Sequence, residues 1–162
     1  MREPMIAIVV FGALLVSANG QAGEPAPRQA DREAITETAL DYGQGWYAGD
    51  ADRMERSLHP DVAKRVRWAT PASPKGRIEH MSAMTLVQKT RRGGGTDVPE
   101  DTRRTDVKIL DIYGSAASVR LDMHDWIDYL HMSKIGDRWV IVNVLWELTP
   151  AAKKDAGFPT EP

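Results

Sequence analysis

Cysteine is absent from this chain of 162 residues, which removes thiolate nucleophiles, disulfide staples, cysteine zinc sites and a lipidated N-terminal cysteine together. An excess of one charge is also missing. The 21 basic and 23 acidic side chains leave a net charge of -2, so no field gathers nucleic acid or an anionic membrane surface. No Gly-x-Ser-x-Gly elbow supports a serine hydrolase. Arg91 and Arg92 precede Gly93, Gly94 and Gly95, yet the Gly-x-x-x-x-Gly-Lys order of a phosphate cradle is lacking. The histidines His59, His80, His124 and His131 show no metal-ligand spacing. Neither a metal nor a cofactor is expected.

Long hydrophobic runs are equally scarce. The stretch from Met5 to Val16 is shorter than the about 20 residues that a membrane span needs. With Arg2 before it and the small-residue exits Val16-Ser17-Ala18 and Gly20-Gln21-Ala22 after it, residues 1–22 read as a secretory signal. Cleavage after Ala22 is favoured over Ala18. A flexible linker over 23–30 and one domain over 31–148 follow, with a frayed tail over 149–162. The protein is then periplasmic or secreted, with no stable membrane insertion after cleavage. The alternative is a buried N-terminal helix or an uncleaved anchor.

What is present reads as helices, then strands. Asp31 suits the cap of a helix reaching Tyr47, with Ile35, Ala39, Tyr42 and Trp46 on one stripe. Gly43 and Gly45 inside it imply close contact with a neighbouring layer or an early end. Gly49-Asp50 ends this helix and caps the next. Val62–Trp68 alternates as a short strand with Val66 and Trp68 on one side and Arg65 and Arg67 on the other. Ile78–Thr90 carries a helical period through Ile78, Met81 and Met84, which predicts a third helix. Arg91 to Arg104 is polar and glycine-rich, as in a mobile loop or lid. Strands follow through Val107, Ile109 and Ile112, through Val119, Leu121 and Met123, through Trp126–Met132 and through Arg138–Leu148. The expected class is α+β, with about three helices covering a curved antiparallel sheet shaped as a cone.

Four segments then match one family in order and spacing: Tyr42-Gly43-Gln44-Gly45-Trp46-Tyr47-Ala48-Gly49-Asp50, Leu58-His59-Pro60-Asp61, Asp128-Tyr129-Leu130-His131 and Gly136-Asp137-Arg138-Trp139-Val140-Ile141-Val142-Asn143. In these the chain resembles the nuclear-transport-factor-2-like, cystatin-like superfamily, and within it the putative lumazine-binding group. The resemblance implies a pocket between sheet and helices, a small-molecule ligand and a homodimer formed through the outer sheet face. It also implies an alternative: in related cones that act as ketosteroid isomerases or dehydratases, a strand carboxylate takes a proton while a tyrosine polarises the carbonyl. Asp128 and Tyr42 are the nearest residue types for those catalytic roles.

Among strand neighbours Trp126, Ile127, Tyr129 and Leu130, an apolar lining would tune Asp128 toward a base, unless Arg120 or a backbone amide binds it. The 5 tryptophans and 4 tyrosines invite a flat aromatic or heterocyclic ring as ligand. Trp46, Trp68, Met84, Tyr129, His131 and Asn143 are candidate contacts, with His59 at the mouth. Each has a plain alternative in core packing, and His59 also suits a helix C-terminus. By parity Trp139 and Trp146 lie on opposite faces, and Asn143 shares a face with Trp139. A binding module is favoured over a metal-independent enzyme, and an interaction module with a filled cone is a third reading.

Overall fold

The computed structural model describes residues 29–70 and 73–158; the expected leader lies outside them. Helix α1 (Gln29–Ala48) is followed by α2 (Ala51–Ser57), β1 (Leu58–Thr70), β2 (Ser73–Ser82) and α3 (Ala83–Arg91). After a 3-10 turn at Glu100–Thr102 come β3 (Asp106–Tyr113), β4 (Ala116–Asp122), β5 (Trp126–Ile135), β6 (Arg138–Leu148) and α4 (Pro150–Asp155). The strands form one curved, open sheet in the order β2-β1-β6-β5-β4-β3. It is the α+β architecture expected. All pairs are antiparallel except β1 with β6, which run parallel.

The stripe on α1 packs as its spacing requires. Ile35, Ala39 and Tyr42 share one buried cluster with Leu121, Leu130, Ile141 and Val144 of the sheet and with Met123 just beyond β4. Full burial of one such aliphatic side chain stabilises by about 1.5–3 kcal/mol relative to exposure, so this interface carries the fold. Gly43 and Gly45 belong to close contact, not to an early end. A Cβ on Gly43 would stand 3.0 Å from Thr105 and 3.1 Å from Met123, and one on Gly45 would stand 3.0 Å from Arg53. Asp50 caps α2 by accepting from the amides of Asp52 and Arg53.

Several expectations need correction. Helix α1 already includes Gln29, and Asp31 is no cap; its Oδ1 accepts from Lys134 Nζ at 2.6 Å and Trp139 Nε1 at 3.0 Å, tying α1 to the sheet. The third helix begins only at Ala83, capped by Ser82. Ile78–Ser82 belongs to edge strand β2, whose Ile78 is 62% exposed. The tail is not frayed at its start: Thr149 caps α4 and Phe158 packs on Trp68 with centroids 4.7 Å apart. The glycine-rich segment is a folded strap on α1. Gly95 N donates to Trp46 O at 2.9 Å, and a Cβ at Gly95 would lie 2.5 Å from the Trp46 indole nitrogen.

A bulge in β6 has the widest consequence. His131 pairs with Asn143 and Met132 with Ile141, so Val142 is an extra residue and the inward parity changes from odd to even. Trp139, Ile141, Val144 and Trp146 therefore all join the core side. Trp139 and Trp146 share a face after all, and Asn143 turns away from it. A second bulge at Leu110 lets Ile109 and Ile112, three residues apart, both pack on the core.

Candidate functional site

Between the helices and the concave face lies a cavity of ≈ 190 Å³. Helix α1 supplies Tyr42 and Trp46, and α2 supplies Met54; α3 supplies Leu86 and, at the exposed mouth, Lys89. The sheet side brings Lys64, Met81, Met123, Trp126 and Trp146. The lining is thus mostly apolar with few polar groups, the composition typical of a small-molecule site.

Its polar floor follows from strand alternation. Val62, Lys64 and Val66 share the inward row of β1 and are 2–4% exposed, while Arg65 and Arg67 point to solvent. On β5 the same rule sends Asp128 inward with Leu130 and Met132. Lys64 Nζ donates to Asp128 Oδ1 at 2.7 Å and to Tyr42 Oη at 2.6 Å. The other Asp128 oxygen accepts from Trp126 Nε1 at 2.9 Å. Asp128 is thereby paired, as a buried charge must be, but with Lys64 and not with Arg120, which lies on the other face bonded to Asp122 at 2.6 Å.

The electrostatics of this group are set by burial. Desolvation lowers the Lys64 ammonium below the usual lysine range, more than the charge and hydrogen bond of Asp128 restore, and the charge of Lys89 adds to the lowering. Burial also raises the Tyr42 phenol well above its ordinary value, reinforced by the charge of Asp128 and a hydrogen bond with it. Three rings surround Lys64 Nζ, with centroids at 5.0 Å (Trp146), 5.3 Å (Tyr42) and 5.5 Å (Trp126). Such contacts favour a desolvated cation.

The tryptophans form a ladder. Trp46 meets Trp126 at 5.9 Å, Trp126 meets Trp146 at 5.9 Å, and Trp146 meets Trp68 at 6.2 Å. Among the described residues, Trp146 Nε1 is the buried side-chain nitrogen left without a hydrogen-bond partner.

Of the residues singled out from sequence, Tyr42 and Trp46 line the cavity, Asp128 lies directly behind its floor and Trp68 extends the ladder. The others are elsewhere. Met84 is 70% exposed and borders a separate depression with Leu58 and Pro60, while Met81 takes the cavity position. His59 is the second residue of β1, not a helix terminus, and its Nδ1 accepts from the Asp61 amide at 3.2 Å. Tyr129, His131 and Asn143 lie on the convex face: Tyr129 is 43% exposed, and Asn143 contacts His131 Nδ1 at 3.1 Å and accepts from Arg65 at 2.9 Å. Lys64 was the central residue sequence reasoning passed over. Its parity with Val62, Val66 and Trp68 was the available signal. Among the described residues no group of three His, Cys, Asp or Glu side chains is placed to hold a metal, and no helix is long and apolar enough to cross a membrane.

Solved structures repeat this architecture. A nuclear-transport-factor-2-like protein from Methylobacillus flagellatus is 18% identical, covering 76% of this chain and 96% of its own, with a TM-score of 0.59. One from Shewanella baltica is 19% identical over 75% of this chain and 95% of its own, at 0.57. A protein with a cystatin-like fold from Nostoc punctiforme is 16% identical over 76% and 95%, at 0.54. These likenesses establish the fold. Curated proteins give no match. The sequence profile of the family described as "Putative lumazine-binding" matches residues 30–147, and the chain therefore belongs to that family, with a nuclear-transport-factor-2-like fold.

Proposed function

We propose that this protein is an exported binding module that holds one flat aromatic or heterocyclic molecule in the cone. The observation that carries this reading is the pairing of an apolar cavity of ≈ 190 Å³ with a single buried ammonium on its floor. A ring lying against the tryptophan ladder stacks by offset or edge contacts, and the lining methionines Met54, Met81 and Met123 adapt to its outline. Lys64 has one N–H beyond those given to Asp128 and Tyr42, and this hydrogen meets a carbonyl or ring-nitrogen acceptor on the ligand. A fused bicycle bearing carbonyl groups, as the family description suggests, suits both the volume and the donor. The leader at 1–22 supplies export, and the exposed pair Tyr129 and Leu145, neighbours across β5 and β6, supplies the apolar centre of a homodimer.

A proton-abstracting enzyme fits less well. Asp128 is fully enclosed, and both its oxygens are engaged by Lys64 and Trp126. An acid–base catalyst needs hydrogen-bond reach to its substrate proton.

Native mass spectrometry of protein purified from its own host, followed by thermal shift with lumazine and related pterins, tests the binding reading. A ligand at 100 times its Kd stabilises by about 2.7 kcal/mol, which a melting curve resolves. The reading fails if no compound is retained and none of the panel raises the melting temperature.

A further inference from the structure

The group on the cavity floor has more chemistry than recognition requires. Resting on the reading of the cavity as a ligand site, we propose that Lys64 is a nucleophilic amine that forms a reversible imine with small planar aldehydes or ketones entering the cone. A surface lysine is poorly suited to this because its ammonium holds its proton and has no lone pair. Lys64 differs in three respects. Its Nζ lines an apolar cavity, a carboxylate stands 2.7 Å away to take a proton, and a phenol stands 2.6 Å away to relay one. Burial weakens the hold of the nitrogen on its proton and strengthens that of Tyr42, so both groups enter the reaction in the useful form.

The step balances within these three side chains. Lys64 passes one proton to Asp128, and its freed lone pair forms a bond to the carbonyl carbon while the C=O π pair moves to oxygen. A second nitrogen proton reaches that oxygen through the Tyr42 hydroxyl, giving a neutral carbinolamine. Asp128 then returns its proton through the Tyr42 hydroxyl, which is hydrogen-bonded to it and lines the cavity, to the same oxygen, which leaves as water as the nitrogen lone pair closes the C=N bond. Of the three ammonium hydrogens, two depart in the water and one stays on the iminium. No oxidant or reductant is needed. The nitrogen is neutral only while Asp128 holds its proton, and the ion pair with Asp128 is regenerated in the iminium product. The rings of Tyr42, Trp126 and Trp146, 5.0–5.5 Å from Nζ, favour the weakly hydrated iminium over a hydrated ammonium. The mostly apolar lining disfavours the water that would hydrolyse the imine.

Trapping tests this directly. The full chain is incubated with 2-naphthaldehyde and sodium cyanoborohydride at neutral pH, and adducts are mapped by peptide mass spectrometry. The expected result is one adduct on Lys64, formed on the order of 100-fold faster than on Lys89, the exposed lysine at the same mouth. Asp128→Asn slows labelling of Lys64 by a similar factor and leaves Lys89 unchanged. Labelling spread over exposed lysines, with Lys64 no faster than Lys89, overturns the proposal, as does an unslowed Asp128→Asn. Since Lys64→Met alone strands a buried carboxylate, the control is Lys64→Met with Asp128→Leu, checked for a cooperative melt and expected to lose the fast adduct. Titration calorimetry with quinoline, a flat bicycle without a carbonyl, separates this idea from the one beneath it. If quinoline binds and no Lys64 adduct forms, the imine falls and the binding site stands; if neither occurs, both fall. Trapping at Lys64 upholds the imine whether or not quinoline binds.

Discussion

The concave and convex faces of the central strands are neighbours only a side chain apart, yet they invert the usual distribution of polar and apolar groups. On β1, Lys64 is 4% exposed while Arg65 beside it is in solvent. On β5, Asp128 is fully buried while Tyr129 is 43% exposed, and on β6 Leu145 is 52% exposed. A sheet built only for stability would place the charges outside and the leucine and tyrosine inside. The inside reversal is resolved by one compact network, and the outside reversal is left open to solvent in the isolated chain. The lesson is that local rules are broken here at two places with different surroundings, an enclosed floor beneath the cavity and an open outer face, and such places are where function is to be sought.

The largest expected effect comes from unbalancing the concave face. Lys64→Met leaves Asp128 buried without its cation and is expected to destabilise by about 3–5 kcal/mol in chemical denaturation. The double change Lys64→Met with Asp128→Leu is expected to recover most of that loss. Arg65→Ala, one residue along, should cost less than about 1 kcal/mol, since exposed polar contacts contribute little. Equal losses at positions 64 and 65 would erase the contrast. Gly95→Ala comes next, at about 1–3 kcal/mol, because a methyl group there meets the Trp46 ring at 2.5 Å and must displace it.

The pH dependence sharpens the same contrast. Burial holds the folded pKa of Lys64 below the ordinary lysine value of 10.5, so the unfolded chain binds more protons at this site in the interval between the two. Its contribution to stability therefore rises with pH up to 10.5. Tyr42 is raised above 10.0, so beyond that pH the unfolded chain loses a proton the folded chain keeps, and stability falls. Tyr42→Phe should reduce the alkaline fall in melting temperature, leaving the part due to Tyr47, which burial also raises. Asp41 gives the acid counterpart. Burial opposes its ionisation, but hydrogen bonds and charges from Arg56 and Arg53 outweigh that and hold it below 3.8. Its stabilisation is present above 3.8 and lost as pH falls through the folded value, and Asp41→Asn should flatten that limb. The smallest effect on folding is expected from Leu145→Lys, within about 0.5 kcal/mol. The same change should shift a homodimer to monomer in sedimentation.

Much of this architecture was legible because the apolar stripe of α1, the Asp50 cap and the alternation of Val119, Leu121 and Met123 obey local rules. Four features were not. Ile78 and Met81 fit a helical stripe as well as an edge strand, and only pairing with β1 decides between them. The extra Val142 reverses parity halfway along β6, so counting from Trp139 misplaced both Trp146 and Asn143. Three consecutive glycines suggested looseness, whereas Gly94 and Gly95 are small because Trp46 lies against them. Lys64 escaped notice because a charged residue in an alternating strand is ordinarily read as facing outward.

The run of indoles also has an optical consequence. With successive centroids about 6 Å apart from Trp46 to Trp68, excitation absorbed by any one of them migrates to the rest faster than it is emitted. Four of the five tryptophans thus form one continuous row along the cone, while the Trp139 indole bonds Asp31. A single quencher seated beside any rung should therefore dim all four, which steady-state fluorescence would read.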